Sequence, residues 1–226
     1  MTVVKYSVVL LLVLCLYVSG QRLNNASREY QSEIVFNSVE ATQRDSQITQ
    51  NALGLLKYEN VFGHTVIVNP YLLGYYYYSL LFDEQDSQRL AYYYDNAHQL
   101  FTQTISQQPT NAKAWANLAL LNWLNTQSLD DIEVLVQRAH SYGQYNFRIH
   151  VKISQLAQWI AQTNPNTAIN SELMKIFVHH LTYGLEDRRS RQAIREIINN
   201  ASEDKAVICT WLEQTAREKL RCDLTR

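Results

Sequence analysis

Few residues in this chain have the type and spacing that chemistry needs. His179-His180 is an adjacent imidazole pair. On a helix, neighbours point about 100° apart, whereas metal-binding pairs share one face. Neither an H-E-x-x-H nor a Cys-x-x-Cys motif accompanies the pair, so no metal site is expected. Asp130, Asp131 and Glu133 resemble in type the carboxylate pairs that hydrolyse glycosidic bonds. They follow Ser128-Leu129, however, where acids in a first helical turn favour the helix dipole. Arg188, Arg189, Arg191 and Arg195 would suit an anionic polymer, but Glu186, Asp187 and Glu196 lie among them and make a mixed, solvated face. No glycine-rich phosphate loop or nucleophile elbow is present. The expectation is therefore a protein with no catalytic residue and no cofactor.

Two tyrosine runs stand out, Tyr75 to Tyr78 and Tyr92 to Tyr94. Tyrosine offers an apolar face and a polar tip, which suits stacking on sugars or gripping peptides. Four consecutive helical residues also point to every side, so some of them must pack inward while others meet water. Cys209 and Cys222 are the cysteines left if the amino-terminal segment is removed. In one continuous helix they would lie about 20 Å apart, far beyond the roughly 7 Å that a disulfide spans. Either the helix breaks between them or the thiols stay free.

The elements that must position these residues are helical. Only 6 glycines and 3 prolines occur in 226 residues, too few for the tight turns of an all-β fold. Hydrophobic residues at 46% and charged residues at 18% describe a globular chain with a core. Net charge is −1, which gives sequence-independent nucleic-acid binding no electrostatic basis. Lys5, the apolar run Val8 to Val18 and the small residues Ser19-Gly20 before Gln21 form a secretory signal peptide over 1–20. The run is shorter than the roughly 20 residues that cross a bilayer. The alternative is an uncleaved anchor, which would be the chain's only tie to a membrane. Export implies an oxidising compartment, most simply the periplasm.

Gln21 to Arg28 reads as a loose polar stretch, Tyr30 to Tyr58 as amphipathic helix, and Val61 to Val68 as an extended connector. Asn69-Pro70 starts a helix through the first tyrosine run. Helices are then expected from Leu90 to Pro109, over Asn111 to Asn125, from Ser128 to Gly143 and over Phe147 to Thr163. Leu173 to Tyr183 follows, stopped by Gly184 in a left-handed cap, then Arg188 to Ile198 and a last helix from Ser202 toward Cys222. Short loops between them predict antiparallel stacking.

Within this series, Ala97-x₃-Phe101 before Pro109 matches the second helix of a tetratricopeptide repeat, and Trp115-x₂-Leu118-Ala119 matches the first helix of the next. Leu73-Gly74-x₂-Tyr77 carries the same first-helix signature upstream. Small residues at Gly74, Ala97 and Ala119 let helices nest closely. The fold class is thus all-α, with tetratricopeptide-like helix pairs in a short right-handed stack. The mature chain, 21–226, reads as one domain: a repeat-like core at about 67–145 and C-terminal helices over 146–226. Repeat logic puts Trp115 in the core and lets Trp123, with Lys113 and Asn117, line a partner groove.

AKAWANLALLNW (Ala112 to Trp123), RAHSYGQYNF (Arg138 to Phe147) and GLEDRRSRQAI (Gly184 to Ile194), in that order behind a signal peptide, resemble the VpsP-like proteins of bacterial exopolysaccharide biosynthesis clusters. These are small exported helical proteins with degenerate repeats. The resemblance implies an accessory of polysaccharide assembly or export, and carries over no functional residue. Two functions are expected from these readings. One is an exported scaffold that binds an envelope protein partner. The other is a glycan-binding or glycan-active protein that uses the tyrosine surface.

Overall fold

The computed structural model describes residues 15–28, 30–31, 54, 56–59, 65–163, 169–199 and 202–222. Lys5 and the first part of the expected signal peptide, most of the expected helix from Tyr30 to Tyr58, and Asn164-Pro165 lie outside the described residues. The chain is all-α apart, among the described residues, from one small ribbon, and it divides into two compact units, Met1–Tyr93 and Tyr94–Arg226, where the sequence suggests one domain. No helix among the described residues is long and apolar enough to cross a membrane.

In the first unit, residues 15–28 are helical throughout. The stretch from Gln21 to Arg28 is thus helix and not loose, since its Arg22, Leu23 and Ala26 are good helix formers and no proline interrupts them. Strands β1 (Lys57–Glu59) and β2 (Thr65–Ile67) pair antiparallel, with Tyr58 opposite Val66. The expected connector therefore contains a strand, and its partner is a segment that reads as a helix end. The Tyr58 hydroxyl donates to Asn25 Oδ1 at 2.8 Å, and the Arg28 guanidinium lies 4.3 Å above its ring, so the ribbon is tied to the 15–28 helix. Helix α1 (Pro70–Leu80) begins as expected: the Asn69 side chain accepts from Leu72 N–H, and Pro70 occupies the first turn.

Helix α2 (Ser87–Gln107) starts in the first unit and continues into the second. The second unit then contains α3 (Ala112–Thr126), α4 (Leu129–Gly143), α5 (Phe147–Thr163), α6 (Ser171–Glu186), α7 (Arg191–Asn199), α8 (Ser202–Trp211) and α9 (Gln214–Leu220). Asn111 and Asn170 cap α3 and α6 through their side-chain oxygens. The pairs α3–α4 and α5–α6 are the most extensive helix contacts, and α5 is central, meeting α3, α4, α6, α7 and α8. Its inward stripe of Ile149, His150, Ile153, Leu156, Ala157 and Ile160 is buried.

Three expectations change at this level. Gly184 does not end a helix. It lies inside α6, where a Cβ would come within 2.8 Å of His150 Cβ and closer still to Ile194, so the glycine marks a close approach of α5 and α7 to α6. Trp123, expected in a groove, is only 2% exposed, and Asn117 is fully buried. Trp115, expected in the core, is half-buried at the surface and donates its indole N–H to the Pro109 carbonyl at 2.7 Å. Of the groove trio, only Lys113 is less than fully enclosed. The last helix breaks between Trp211 and Gln214, which brings Cys209 and Cys222 to a Cα separation of 5.8 Å and lets them form a disulfide. Gly74, Ala97 and Ala119 are all buried, as close helix packing requires.

Candidate functional site

Along the sequence, His179-His180 stands as a lone pair. The fold instead gathers four histidines from three helices: His140 near the end of α4, His150 in the first turns of α5, and His179 with His180 in α6. Each arrives for a local reason. His150 follows Ile149 and precedes Ile153 on the buried stripe of α5. His180 falls three and four residues after Phe177 and Ile176, on the apolar stripe of α6. His180 is 0% exposed and His150 is 2% exposed.

His180 sits between two neighbours and uses both ring nitrogens. Its Nε2 is 3.2 Å from His140 Nδ1, and its Nδ1 is 2.9 Å from His150 Nδ1. His179 turns the other way. Its Nε2 lies 2.9 Å from the Gln144 carbonyl oxygen, which only accepts, so Nε2–H is the donor there. The nitrogens thus face one another in pairs and do not converge on a point. Among the described residues, no set of three His, Cys, Asp or Glu side chains is arranged to hold a metal ion.

The environment favours neutral rings. Burial, then the positive potential of His179, pushes His150 down to about 4. Burial also holds His180 well below the ordinary histidine range and lowers His140, with the neighbouring imidazoles adding to both effects. Asp187 and Arg189 act on His150 in opposite senses. They form an ion pair at 2.7 Å, and the Arg189 hydrogen bonds hold Asp187 down to about 2.

Beside the cluster is a cleft of about 510 Å³, formed by the end of α4 and the turn into α5 and lined by Tyr142, Gln144, Tyr145, Phe147 and Arg189. The Arg189 guanidinium lies 4.6 Å above the Phe147 ring. Three tyrosines stay at the surface here: Tyr142 at 41%, Tyr145 at 67% and Tyr183 at 44% exposed. Aromatic contacts run inward from the cleft without interruption. Tyr145 meets Tyr183 at 6.0 Å and His179 at 6.2 Å between centroids. Tyr183 in turn meets His179 at 4.4 Å and stacks on His150 at 6.4 Å. Gly143 makes the turn possible, since a Cβ there would lie 2.7 Å from Ile149 Cγ1 and 2.8 Å from Ala112 Cβ.

The other singled-out residues have structural partners. Arg191 donates to the Leu185 and Glu186 carbonyls at the end of α6, both at 2.7 Å, and Arg195 donates to the Lys219 carbonyl at 3.0 Å. Asp130 and Asp131 occupy the first turn of α4. Tyr76, Tyr77 and Tyr78 are buried and packed against aromatic neighbours, with burial raising all three hydroxyl pKa values. Tyr92 remains exposed. Comparison with protein-family models, curated proteins and solved structures finds no match to the chain.

Proposed function

We propose that this chain is a binding protein and not an enzyme: an exported helical scaffold of bacterial exopolysaccharide assembly that holds an envelope protein partner. The partner site is the cleft at the α4–α5 turn. One observation carries the reading, the gathering of exposed Tyr142 and Tyr145 with Arg189 around a concave surface, with exposed Tyr183 packed against Tyr145. Tyrosine and arginine dominate the energetics of protein interfaces, because each buries a large area with few rotatable bonds or makes planar hydrogen bonds. The Cys209–Cys222 pairing supports export, since disulfides persist in oxidising compartments. The helix pairs and buried small residues support a repeat-like scaffold, and the sequence resemblance supports the polysaccharide setting.

A second reading has one observation in its favour. Aromatic rings beside the amides of Gln144 and Asn146 also suit a sugar chain, with rings stacking and amides bonding to hydroxyls. Tyr142 and Tyr145 would then replace the largely buried Tyr75 to Tyr78 run as the glycan surface.

Site-specific photocrosslinking in cells that make the polymer separates the two. A crosslinker at position 145 should yield a discrete protein adduct, and one at exposed Leu124 should not. Arg189→Ala should weaken the adduct at 145. Equal labelling at both positions, or none at 145, would remove the scaffold reading. Retention of the purified chain on exopolysaccharide, lost in Tyr145→Ala, would put the glycan reading in its place.

A further inference from the structure

The proton count of the histidine chain has a consequence for the cleft. His140, His180 and His150 offer six ring nitrogens, four of which face each other across two hydrogen bonds. Each bond holds one proton. Three neutral imidazoles carry three protons, so two sit in the bonds and the third on an outer nitrogen of His140 or His150. A fourth proton can occupy the remaining outer nitrogen without disturbing either bond. A fifth cannot be placed: it would set N–H against N–H across one of the contacts.

The cluster is therefore an assembly that acid must pull apart. It joins the end of α4, the start of α5 and the middle of α6, and the first two of these, with the turn between them, form the cleft. The charged groups acting on the three rings are one another, His179 from α6, and the Asp187–Arg189 pair in the loop after α6, while the Tyr183 phenol ring of α6 stacks on His150. Among the described residues, α3, α7, α8 and α9 supply none. Arg191 and Arg195 of α7 are engaged with carbonyls, and Lys219 of α9 pairs with Glu186 at 3.0 Å. The Asp187 carboxylate favours a charged His150 but is opposed there by Arg189, and the groups acting on His180 include no carboxylate, so a second positive charge in the cluster gains little compensation.

We propose that the His140–His180–His150 chain is an acid-released latch that keeps the aromatic cleft in its binding shape at neutral pH and loosens the α4–α5 turn when the surroundings acidify. This regulation builds on the reading of the cleft as the partner site, but the loosening itself can be measured without any partner.

Hydrogen exchange of the intact chain, corrected for the intrinsic pH dependence of amide exchange, tests it at pH 7.5 and pH 5. Amides of residues 137–150 and 176–184 should exchange roughly tenfold faster at the lower pH, while those of α3 stay protected. The double variant His140→Gln with His150→Gln keeps a donor and an acceptor at each position, and a protonated His180 could then donate to both without a clash, so its exchange should respond clearly less to pH than that of the wild type. A wild-type chain whose exchange at 137–150 is unchanged at pH 5, or a double variant that responds as the wild type does, overturns the latch. Should the double variant not fold, imidazole nitrogen shifts of the wild type decide the matter. Three rings neutral at pH 6 that gain protons together with loss of the turn's protection support the latch, and rings that titrate without any change in protection refute it. A latch that opens while Arg189→Ala leaves the adduct at position 145 intact would show that the cleft reading had failed and the switch had not.

Discussion

The chain has two aromatic concentrations, and they differ in instructive ways. The first unit holds a contiguous run, Tyr75 to Tyr78, that any reader of the sequence notices, and the fold uses it mostly as packing. Tyr77 packs edge-on against Tyr92, Tyr78 packs against Phe82, and the hydroxyls of Tyr76 to Tyr78 are held protonated by burial. The second unit brings together His140, Tyr145, His150, His179, His180 and Tyr183 from three helices and a turn, of which only the adjacent pair His179-His180 is conspicuous in sequence. A run along one helix spreads its members around the axis, so it must serve several environments. Residues scattered over several elements can converge on one.

Experiments can break that contrast, beginning with the largest effect. Tyr78→Ala removes a buried ring and should cost about 3–5 kcal/mol in urea unfolding. A loss under 1 kcal/mol would return the run to the surface and to recognition. Trp123→Ala should cost about the same, because its side chain is enclosed in the second unit. Replacing Cys209 and Cys222 by serine releases a cross-link between residues 13 apart and should cost about 2–4 kcal/mol. Chemical reduction of the native chain should reproduce that loss, and a serine variant as stable as the native chain would refute the pairing.

Acid comes next. His140, His150 and His180 have folded-state pKa values below those in the unfolded chain, so the unfolded state binds more protons as the pH falls. Their contribution is complete above about pH 6.5 and declines from there toward pH 4. Unfolding measured at pH 7.5 and pH 5 should show a loss on the order of 1–3 kcal/mol. The double glutamine variant should show a clearly smaller loss, and an equal one would move the acid response elsewhere. Smallest in stability is Tyr145→Ala, expected within about 0.5 kcal/mol of the native chain because the ring is exposed. Its effect belongs to binding, where an anchor tyrosine is worth about 2 kcal/mol or more. A partner that binds the variant undiminished would remove Tyr145 from the site.

The helical class and most helix ends were legible because local chemistry sets them. Asn69-Pro70 and Asn111 satisfy first-turn amides with their own side chains, and Phe147 to Thr163 is bounded as its apolar period suggests, whereas Asn170 caps α6 ahead of the expected start at Leu173. The faces were harder. Ala112 to Trp123 is apolar on nearly every side, so period alone does not choose which tryptophan is enclosed, and Trp115 and Trp123 exchange their expected places. Gly184 carries the signal of a helix stop, yet the same missing side chain also serves close packing, and only the position of Ile194 and His150 distinguishes the two. The three-residue strand β1 is too short for alternation to show. The histidine cluster left two traces, the adjacent pair His179-His180 and the placement of His150 and His180 on apolar stripes. Nothing in the sequence indicated that those stripes face each other.

Gly184 has no functional group, yet it governs the spacing of those that do. Because α5 rests against its bare backbone, the glycine acts as a gauge that fixes how near His150 comes to His180. Enlarging it to alanine should wedge the two helices apart and lengthen the imidazole contact before any histidine is altered. A single methyl group would thereby uncouple the chemistry of the cluster from its composition.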